Sequence, residues 1–169
     1  MIDGCVGCRF PTDMHGRDLH GVRFVGSDLR GADFTRADLH DAHFVGSDLH
    51  GARFDDANLH GAEFVGANLR GASLARVDFH GSRLIAANLR DAKLTNATLG
   101  DVVLCVASDA ERDDGDHTSC ANLRGVDLRG LDLRAARWCS NHGATCRPVT
   151  RDELVRLAHA DLDGAQAPS

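Results

Sequence analysis

The stretch from residue 32 to residue 71 decides the fold, because it repeats one five-residue unit eight times: ADFTR ADLHD AHFVG SDLHG ARFDD ANLHG AEFVG ANLRG. Each unit has a small residue first, Leu or Phe third and often Gly fifth. Outward from this stretch, the third position stays apolar from Met14 to Leu104. A period of five fits neither a helix nor a strand. It fits a chain that turns a corner every five residues, with the first and third residues pointing inward.

The apolar position predicts the core, and the Gly predicts the corners. Gly two residues after the Leu or Phe suits a turn position with φ > 0, as type II turns require. Asp and Asn, frequent just before the apolar residue, also favour turns. The predicted core residues are Leu19, Phe24, Leu29, Phe34, Leu39, Phe44, Leu49, Phe54, Leu59, Phe64 and Leu69.

The units at 37–41, 57–61 and 67–71 match the pattern A-(D/N)-L-x-x. They resemble the unit of the pentapeptide-repeat family, and the resemblance extends over residues 12–104 and 121–138. It implies an all-β solenoid, a right-handed quadrilateral β-helix with four repeats in each coil.

A second period, of 20 residues, supports four repeats per coil, because it places similar residues on each of four faces. We name the faces by the residue that follows the inward Leu or Phe. The histidine face has His20, His40, His60 and His80; the valine face has Val25, Val45, Val65 and Ile85, then Cys105; the arginine face has Arg30, His50, Arg70 and Arg90; the mixed face has His15, Thr35, Asp55, Ala75 and Thr95.

The chain divides into three parts. Residues 1–11 are expected to form an N-terminal cap, residues 12–138 the β-helix with a loop inserted at 106–119, and residues 139–169 a C-terminal segment with a disordered end. Leu104 and Leu123 are 19 residues apart, which is one repeat plus a 14-residue insertion. This count places Arg124 on the arginine face.

A capping box at 150–153 predicts a short α-helix at about 151–162, with Leu154, Leu157 and Ala158 on its apolar side. Two roles are open for this helix: it caps the last coil, or it joins two copies. The resemblance favours the second, a homodimer through the C-terminal end.

The N-terminus lacks the basic and apolar regions of a signal peptide, and no apolar run approaches the ~20 residues of a membrane helix. We therefore expect a cytoplasmic protein without membrane contact. The six cysteines are then expected to be reduced thiols. Disulfides, including a Cys105–Cys120 pair at the base of the loop, and local zinc sites at Cys5 and Cys8 or at Cys139, His142 and Cys146 remain open.

No catalytic constellation converges in the sequence, and we expect no enzyme activity, cofactor or metal. The histidine face is expected to be solvated, and crowded imidazoles would resist joint protonation, so acid is expected to weaken the fold. The candidate partner-binding residues are acidic or exposed and apolar: Asp109, Glu111, Asp113, Asp114 and Asp116 in the loop; Val25, Val45, Val65 and Ile85 on the valine face; Asp18, Asp38 and Asp78 on the histidine face.

Within the family, the chain looks like the bacterial members that bind DNA gyrase and protect it from quinolones, and which are thought to imitate duplex DNA. This implies DNA gyrase or topoisomerase IV as the partner, without direct nucleic-acid binding. The net charge of −6 is unevenly spread: residues 17–104 carry only −2, whereas the loop carries −4. The charge favours contact through the loop over a uniform DNA mimic. The alternative is a general protein-interaction scaffold.

Overall fold

The computed structural model describes residues 12–107, 121–126, 131, 134–140, 146–150 and 152. Over the repeats, the chain winds in coils of 20 residues with one pentapeptide on each of four sides. Parallel bridges join residues 20 apart on every side: Asp13 to Asp33, Asp18 to Asp38, Arg23 to His43 and Asp28 to Asp48. The four-sided coil predicted from the sequence is therefore confirmed.

Each repeat is bonded to the next coil and closed by a turn. Phe34 donates its backbone N–H to the carbonyl of Arg53 at 2.7 Å, and Arg36 donates to Asp55 at 3.0 Å. The N–H of Ala37 bonds back to the carbonyl of Phe34 at 3.0 Å, which closes the turn. The turn needs a positive φ at its third residue, and Arg36 has φ of 59°. The pattern recurs along the coils.

The interior of the tube holds two phenylalanine columns. On the valine side, Phe44 stacks on Phe24 and Phe64 with ring centroids 5.2 and 4.8 Å apart. On the mixed side, Phe34 and Phe54 stack at 4.9 Å, and their edges meet Phe44 at 5.7 and 5.8 Å. All of the predicted core residues are buried, as the sequence predicts.

The solenoid ends in a small mixed sheet. Strand β1 spans Val103–Ala107, β2 spans Arg137–Ser140 and β3 spans Cys146–Pro148. The order is β1-β2-β3, with β1 and β2 parallel and β3 antiparallel to β2. Two predicted boundaries shift: β1 includes residues 106 and 107, assigned to the loop, and β2 runs beyond residue 138. Both strands lengthen because they pair with each other.

The 14-residue insertion leaves the register of the coils intact. Asn88 bridges Asn122, and Val103 pairs with Arg137. Both separations are 34 residues, which is one coil of 20 plus the insertion of 14. The N–H of Asp91 bonds to the carbonyl of Arg124 at 3.0 Å, so Arg124 continues the arginine face as predicted.

The expectation of reduced thiols is wrong for the three cysteines that the structure describes. A disulfide joins Cys139 to Cys146, which face each other across β2 and β3, and Cys105 is also disulfide-bonded. The pairing of β2 with β3 brings two of the thiols together, and no repeat pattern predicts that pairing. The remaining three cysteines, Cys5, Cys8 and Cys120, lie outside the described residues.

Several of the predictions lie outside the described residues. They are the N-terminal cap at 1–11, most of the loop and the disordered end. Asp152 is helical, but the rest of the predicted helix, including Leu154, Leu157 and Ala158, also falls outside. In the described part of the chain, no helix has the length and apolar character needed to cross a membrane.

A reciprocal pair of substitutions tests the turn geometry. Gly66 and Ala86 occupy the same turn position one coil apart, with φ of 66° and 54°. A left-handed backbone strains any residue with a Cβ, and a Cβ at Gly66 would meet nothing within 4 Å. We therefore expect Ala86→Gly to raise the free energy of unfolding by about 1 kcal/mol and Gly66→Ala to lower it by about as much. Urea denaturation measures both; changes of the same sign would contradict the assignment.

Candidate partner-binding surface

The four histidines of the histidine face stack coil upon coil. Gly21 donates its N–H to the carbonyl of His40 at 2.8 Å, Asp41 donates to His60 at 2.9 Å, and Gly61 donates to His80 at 2.9 Å. Each histidine follows an inward Leu or Phe, so its ring points outward. The prediction that these residues share one face is confirmed.

The imidazole rings form two stacked pairs. His20 and His40 lie 5.1 Å apart between centroids, and His60 and His80 lie 5.3 Å apart, with 9° between the planes in each pair. Beyond the second pair, a Cβ on Gly100 would lie 2.5 Å from Nδ1 of His80. The ring of His80 thus lies over Gly100, which has no side chain to obstruct it.

Carboxylates hold the first pair of rings. Oδ1 of Asp18 lies 2.8 Å from Nδ1 of His20, and Oδ1 of Asp38 lies 3.0 Å from Nδ1 of His40. Asn58 donates its side-chain N–H to the same oxygen of Asp38 at 3.0 Å. The side chains stay accessible, since His20 is 63% and Asp18 is 74% exposed.

The histidine face has carboxylates on four of its five coils, and Arg17 stands exposed at the corner before the first coil. Residues 18–21, 38–41, 58–61, 78–81 and 98–101 contain no Lys or Arg and five carboxylates: Asp18, Asp38, Asp41, Asp78 and Asp101. Asp41 and Asp101 stand at the corner, in turn positions with φ of 56° and 51°. One of the five is compensated from the next face, because Arg137 donates to Asp101 at 2.8 and 3.0 Å.

The other three faces are close to neutral. The mixed face has four carboxylates and four basic residues over 13–16, 33–36, 53–56, 73–76 and 93–96. The valine face has Glu63 against Arg23 and Arg83, a net charge of +1. The arginine face has three carboxylates, Asp28, Asp48 and Asp91, and four arginines. The histidine face therefore holds the negative charge of the solenoid.

The arginine face satisfies much of its charge internally. Arg30 donates to both carboxylate oxygens of Asp28 at 2.8 Å. Arg70 and Arg90 share Asp91, with N–O distances of 3.7 and 3.4 Å. This face is therefore a ladder of ion pairs, whereas Asp18 and Asp38 of the histidine face contact imidazoles and an amide.

Hydrogen bonding shifts the pKa values of the first Asp–His pair in opposite directions. The hydrogen bond with Asp18 raises the pKa of His20, and the bond with His20 lowers the pKa of Asp18. Burial raises the pKa of Asp38, but hydrogen bonds with His40 and Asn58 outweigh it and lower the pKa overall. A raised pKa contributes stability below the unfolded value of about 6.5, and that stability is lost as the pH rises through the folded value. At His20 this direction is opposite to the expected weakening by acid, and the expectation for the stacked rings as a group stays a prediction.

Replacing Asp18 tests this coupling. In Asp18→Asn the carboxylate is gone, and we expect the pKa of His20 to fall toward the ordinary value of about 6.5. A titration of the ring ¹H–¹³C signals by NMR measures the shift. Asp78→Asn is the matched control, because that carboxylate lies three coils away; an equal shift of His20 in both variants would contradict the pairing.

The valine face is less exposed than the sequence suggests. Val25, Val45 and Val65 are half-buried, Ile85 is 7% exposed and Cys105 is fully buried. Branched side chains repeated at a strand spacing of about 4.8 Å pack against one another and cover much of their own surface. The expectation of an outward apolar stripe is wrong at Ile85, and the usable strip is reduced to the three valines.

The pentapeptide-repeat profile matches eight copies of the repeat at 12–51, 32–71, 52–91 and 62–101. These ranges together cover residues 12–101, more than half of the 169-residue chain. The chain belongs to the pentapeptide-repeat family. Structures of this family are right-handed quadrilateral β-helices, in agreement with the four sides found here. No curated protein is significantly similar to this pentapeptide-repeat protein in sequence.

Solved structures of other pentapeptide-repeat proteins resemble this one. A protein from the thylakoid lumen of Arabidopsis thaliana is 30% identical, with a TM-score of 0.51 over 76% of this chain and 77% of that one. The protein Rfr23 from the cyanobacterium Cyanothece 51142 is 24% identical, with a TM-score of 0.60 over 71% and 86%. A trypsin-treated variant of QnrB1, a plasmid-mediated fluoroquinolone resistance protein, is 18% identical, with a TM-score of 0.51 over 96% and 86%.

The structure brings together some predicted contact residues of this pentapeptide-repeat protein. Asp18, Asp38 and Asp78 lie on one face, whereas the loop residues Asp109, Glu111, Asp113, Asp114 and Asp116 lie outside the described residues. The sequence pattern missed Asp41 and Asp101 because it reserves the turn position for Gly. The 20-residue period, which puts them in register with Gly21, Gly61 and Gly81, would have found them. In the described ranges, no group of three or more His, Cys, Asp or Glu has the arrangement of a metal site.

Proposed function

We propose that this protein is a non-catalytic, protein-binding solenoid whose partner is DNA gyrase or a related type II topoisomerase, which it protects from a topoisomerase poison. The observation that carries the proposal is the histidine face, which has carboxylates on four of five coils and, apart from Arg17 at its first corner, no Lys or Arg. A topoisomerase binds duplex DNA through basic surfaces, and a face of this kind offers them a rigid, negatively charged alternative.

The dimensions favour a partial rather than a full imitation of DNA. From the first coil to the fifth, the face extends about 19 Å at a strand spacing of about 4.8 Å. Five carboxylates over this length give about one charge per 4 Å, against one per about 1.7 Å of axis in duplex DNA. The face would therefore occupy part of a DNA-binding surface.

The choice of a topoisomerase as the partner rests on the similarity to QnrB1. That protein is described as a fluoroquinolone resistance protein, and its fold matches over most of this chain. We further propose a right-handed solenoid that forms a homodimer through its C-terminal end and acts in the cytoplasm, where it meets the topoisomerase. Light scattering of the purified chain tests the dimer.

A supercoiling assay with purified gyrase, with and without ciprofloxacin, tests the proposal. Added protein should restore supercoiling in the presence of the drug or inhibit it in the drug's absence. Deletion of residues 108–118, which leaves β1 intact, distinguishes the loop from the face. An effect carried by the loop disappears in the deletion, whereas an effect carried by the face persists. Intact, folded protein without any effect on the enzyme would remove gyrase as the partner.

The second candidate is a general interaction scaffold. Val25, Val45 and Val65 remain half-exposed in a row on the valine face, and a contiguous apolar strip is typical of contact surfaces. In this case, replacing all three valines with Thr would abolish partner binding, and neutralising the histidine face would leave it unchanged.

A further inference from the structure

The histidine face interleaves carboxylates with imidazoles, and this arrangement makes its charge depend on pH near neutrality. Four imidazoles stand in the same five coils as the five carboxylates, with no Lys or Arg in those stretches. We infer that this face is a pH-gated surface, which holds a basic partner while its imidazoles are neutral and releases it when they are protonated. The inference rests on the proposed function in one respect, since it concerns the face assigned to the partner.

Protonation of the four imidazoles changes the net charge of the histidine face by four units. With neutral imidazoles the face carries −5, and with all four protonated it carries −1. Arg137 compensates Asp101, and Arg17 adds one positive charge at the first corner, in both states, which leaves −3 and +1. Each of the other three faces has a single imidazole, His15, His43 or His50, so its charge changes by one unit over the same range.

Imidazoles and carboxylates take up protons in different pH ranges, which allows the charge of the face to change near neutral pH. Imidazoles titrate at about pH 6.5 in the absence of perturbation, and carboxylates titrate roughly two units lower. The hydrogen bond from Asp18 raises the pKa of His20 and lowers that of the carboxylate. In the first pair, the carboxylate therefore remains ionised while the imidazole takes up a proton.

The borders of the face supply mostly fixed charges. Arg76 is held by both oxygens of Asp56 at 2.6 and 2.7 Å, and His43 bonds to Glu63 at 3.0 Å. The charged and titratable groups that border the face are Arg17, Arg36, Asp56 and Arg76 on one side and Arg23, His43, Glu63, Arg83 and Arg137 on the other. His43 is the one imidazole among them, and its protonation adds to the change in the same direction.

The stacked rings place the imidazolium charges of neighbouring coils within reach of one side chain of a partner. The centroids in each pair are 5.1 and 5.3 Å apart, which is within the screening length of about 8 Å at physiological ionic strength. A Lys or Arg of a partner placed against one coil therefore senses the imidazolium charges of the coils above and below. Protonation both cancels the attraction of the carboxylates and repels the partner directly.

The test compares the wild-type chain with H20Q/H40Q/H60Q/H80Q at about pH 8 and about pH 5.5. Two fluorescent probes are titrated by anisotropy: labelled gyrase and a labelled deca-lysine peptide, whose amines stay protonated at both pH values. We expect the wild-type Kd to rise about tenfold at the lower pH for both probes, and that of the variant to change less than about twofold. H15Q/H50Q, which removes imidazoles from the mixed and arginine faces, should retain the wild-type response.

The two probes separate the gate from the proposed partner. If gyrase fails to bind but deca-lysine shows the pH response and the variant loses it, the gate stands and the topoisomerase proposal falls. If wild type and variant respond alike to pH with either probe, the gate is overturned, whether or not gyrase binds. If the fourfold variant fails to fold by circular dichroism, H60Q/H80Q should keep about half of the response, and a full response would overturn the gate.

Discussion

Phe44→Ala is expected to lower the free energy of unfolding by about 3–5 kcal/mol, one of the largest effects of any single substitution in this chain. Phe44 is fully buried and stacks on Phe24 and Phe64, while Phe34 and Phe54 meet it edge to face. Truncation removes all four ring contacts and opens a cavity at the centre of the tube. The backbone bonds of the coils above and below hold the walls apart, so the cavity has little chance to collapse.

Phe44→Leu is the matched control. Leu84 and Leu104 occupy the same column of the same face, both buried, so the tube accepts Leu at this position. We expect the Leu variant to cost no more than about 1.5 kcal/mol. Urea unfolding followed by circular dichroism measures both variants, and equal losses for Ala and Leu would contradict the central role of the ring stack.

Removing three carboxylates from the histidine face is expected to have the largest effect on function. In D18N/D38N/D78N, protection of gyrase from ciprofloxacin should need at least about ten times more protein, because the attraction of the face for a basic surface is weakened. Asn58 is native at the equivalent position on the same face, so the coil tolerates Asn there. The supercoiling assay measures the shift in the concentration for half-maximal protection.

The arginine face provides the control for charge alone. D28N/D48N/D91N removes the same number of carboxylates from another wall, and the native Asn68 and Asn88 are equivalent to Asp28 and Asp48. We expect protection close to that of the wild-type chain. Equal loss in both triple variants would mean that overall charge, rather than the histidine face, governs the interaction.

The five-residue period was enough to predict the core and the turns, the family resemblance implied four repeats per coil, and the 20-residue period predicted the stacking of the faces. These follow from sterics that repeat locally: a Leu or Phe that must point inward, a small residue beside it and a turn that favours Gly. Even the insertion after Leu104 was readable, because the repeat returns in register and places Arg124 correctly. The charge pattern was readable only in part, since Asp41 and Asp101 occupy turn positions reserved in the simple pattern for Gly.

The small sheet of β1, β2 and β3 could not be predicted from the repeat pattern. β3 belongs to no repeat, and it pairs antiparallel with β2, whereas the coils pair in parallel. The disulfide between Cys139 and Cys146 follows from that pairing rather than from any motif. The partial burial of the valine face was missed for a related reason, since exposure depends on neighbours one coil away rather than on the residue type.

The parallel pairing of residues 20 apart has a consequence for how this surface can evolve. Loss or gain of one pentapeptide would keep every inward side chain inward, but it would rotate all following residues by a quarter turn. Histidines that now align would then be divided between two walls, with the interior unchanged. An insertion or deletion of five residues can thus rearrange the outward side chains among the four faces in one step. One of 20 residues changes only the length of the solenoid.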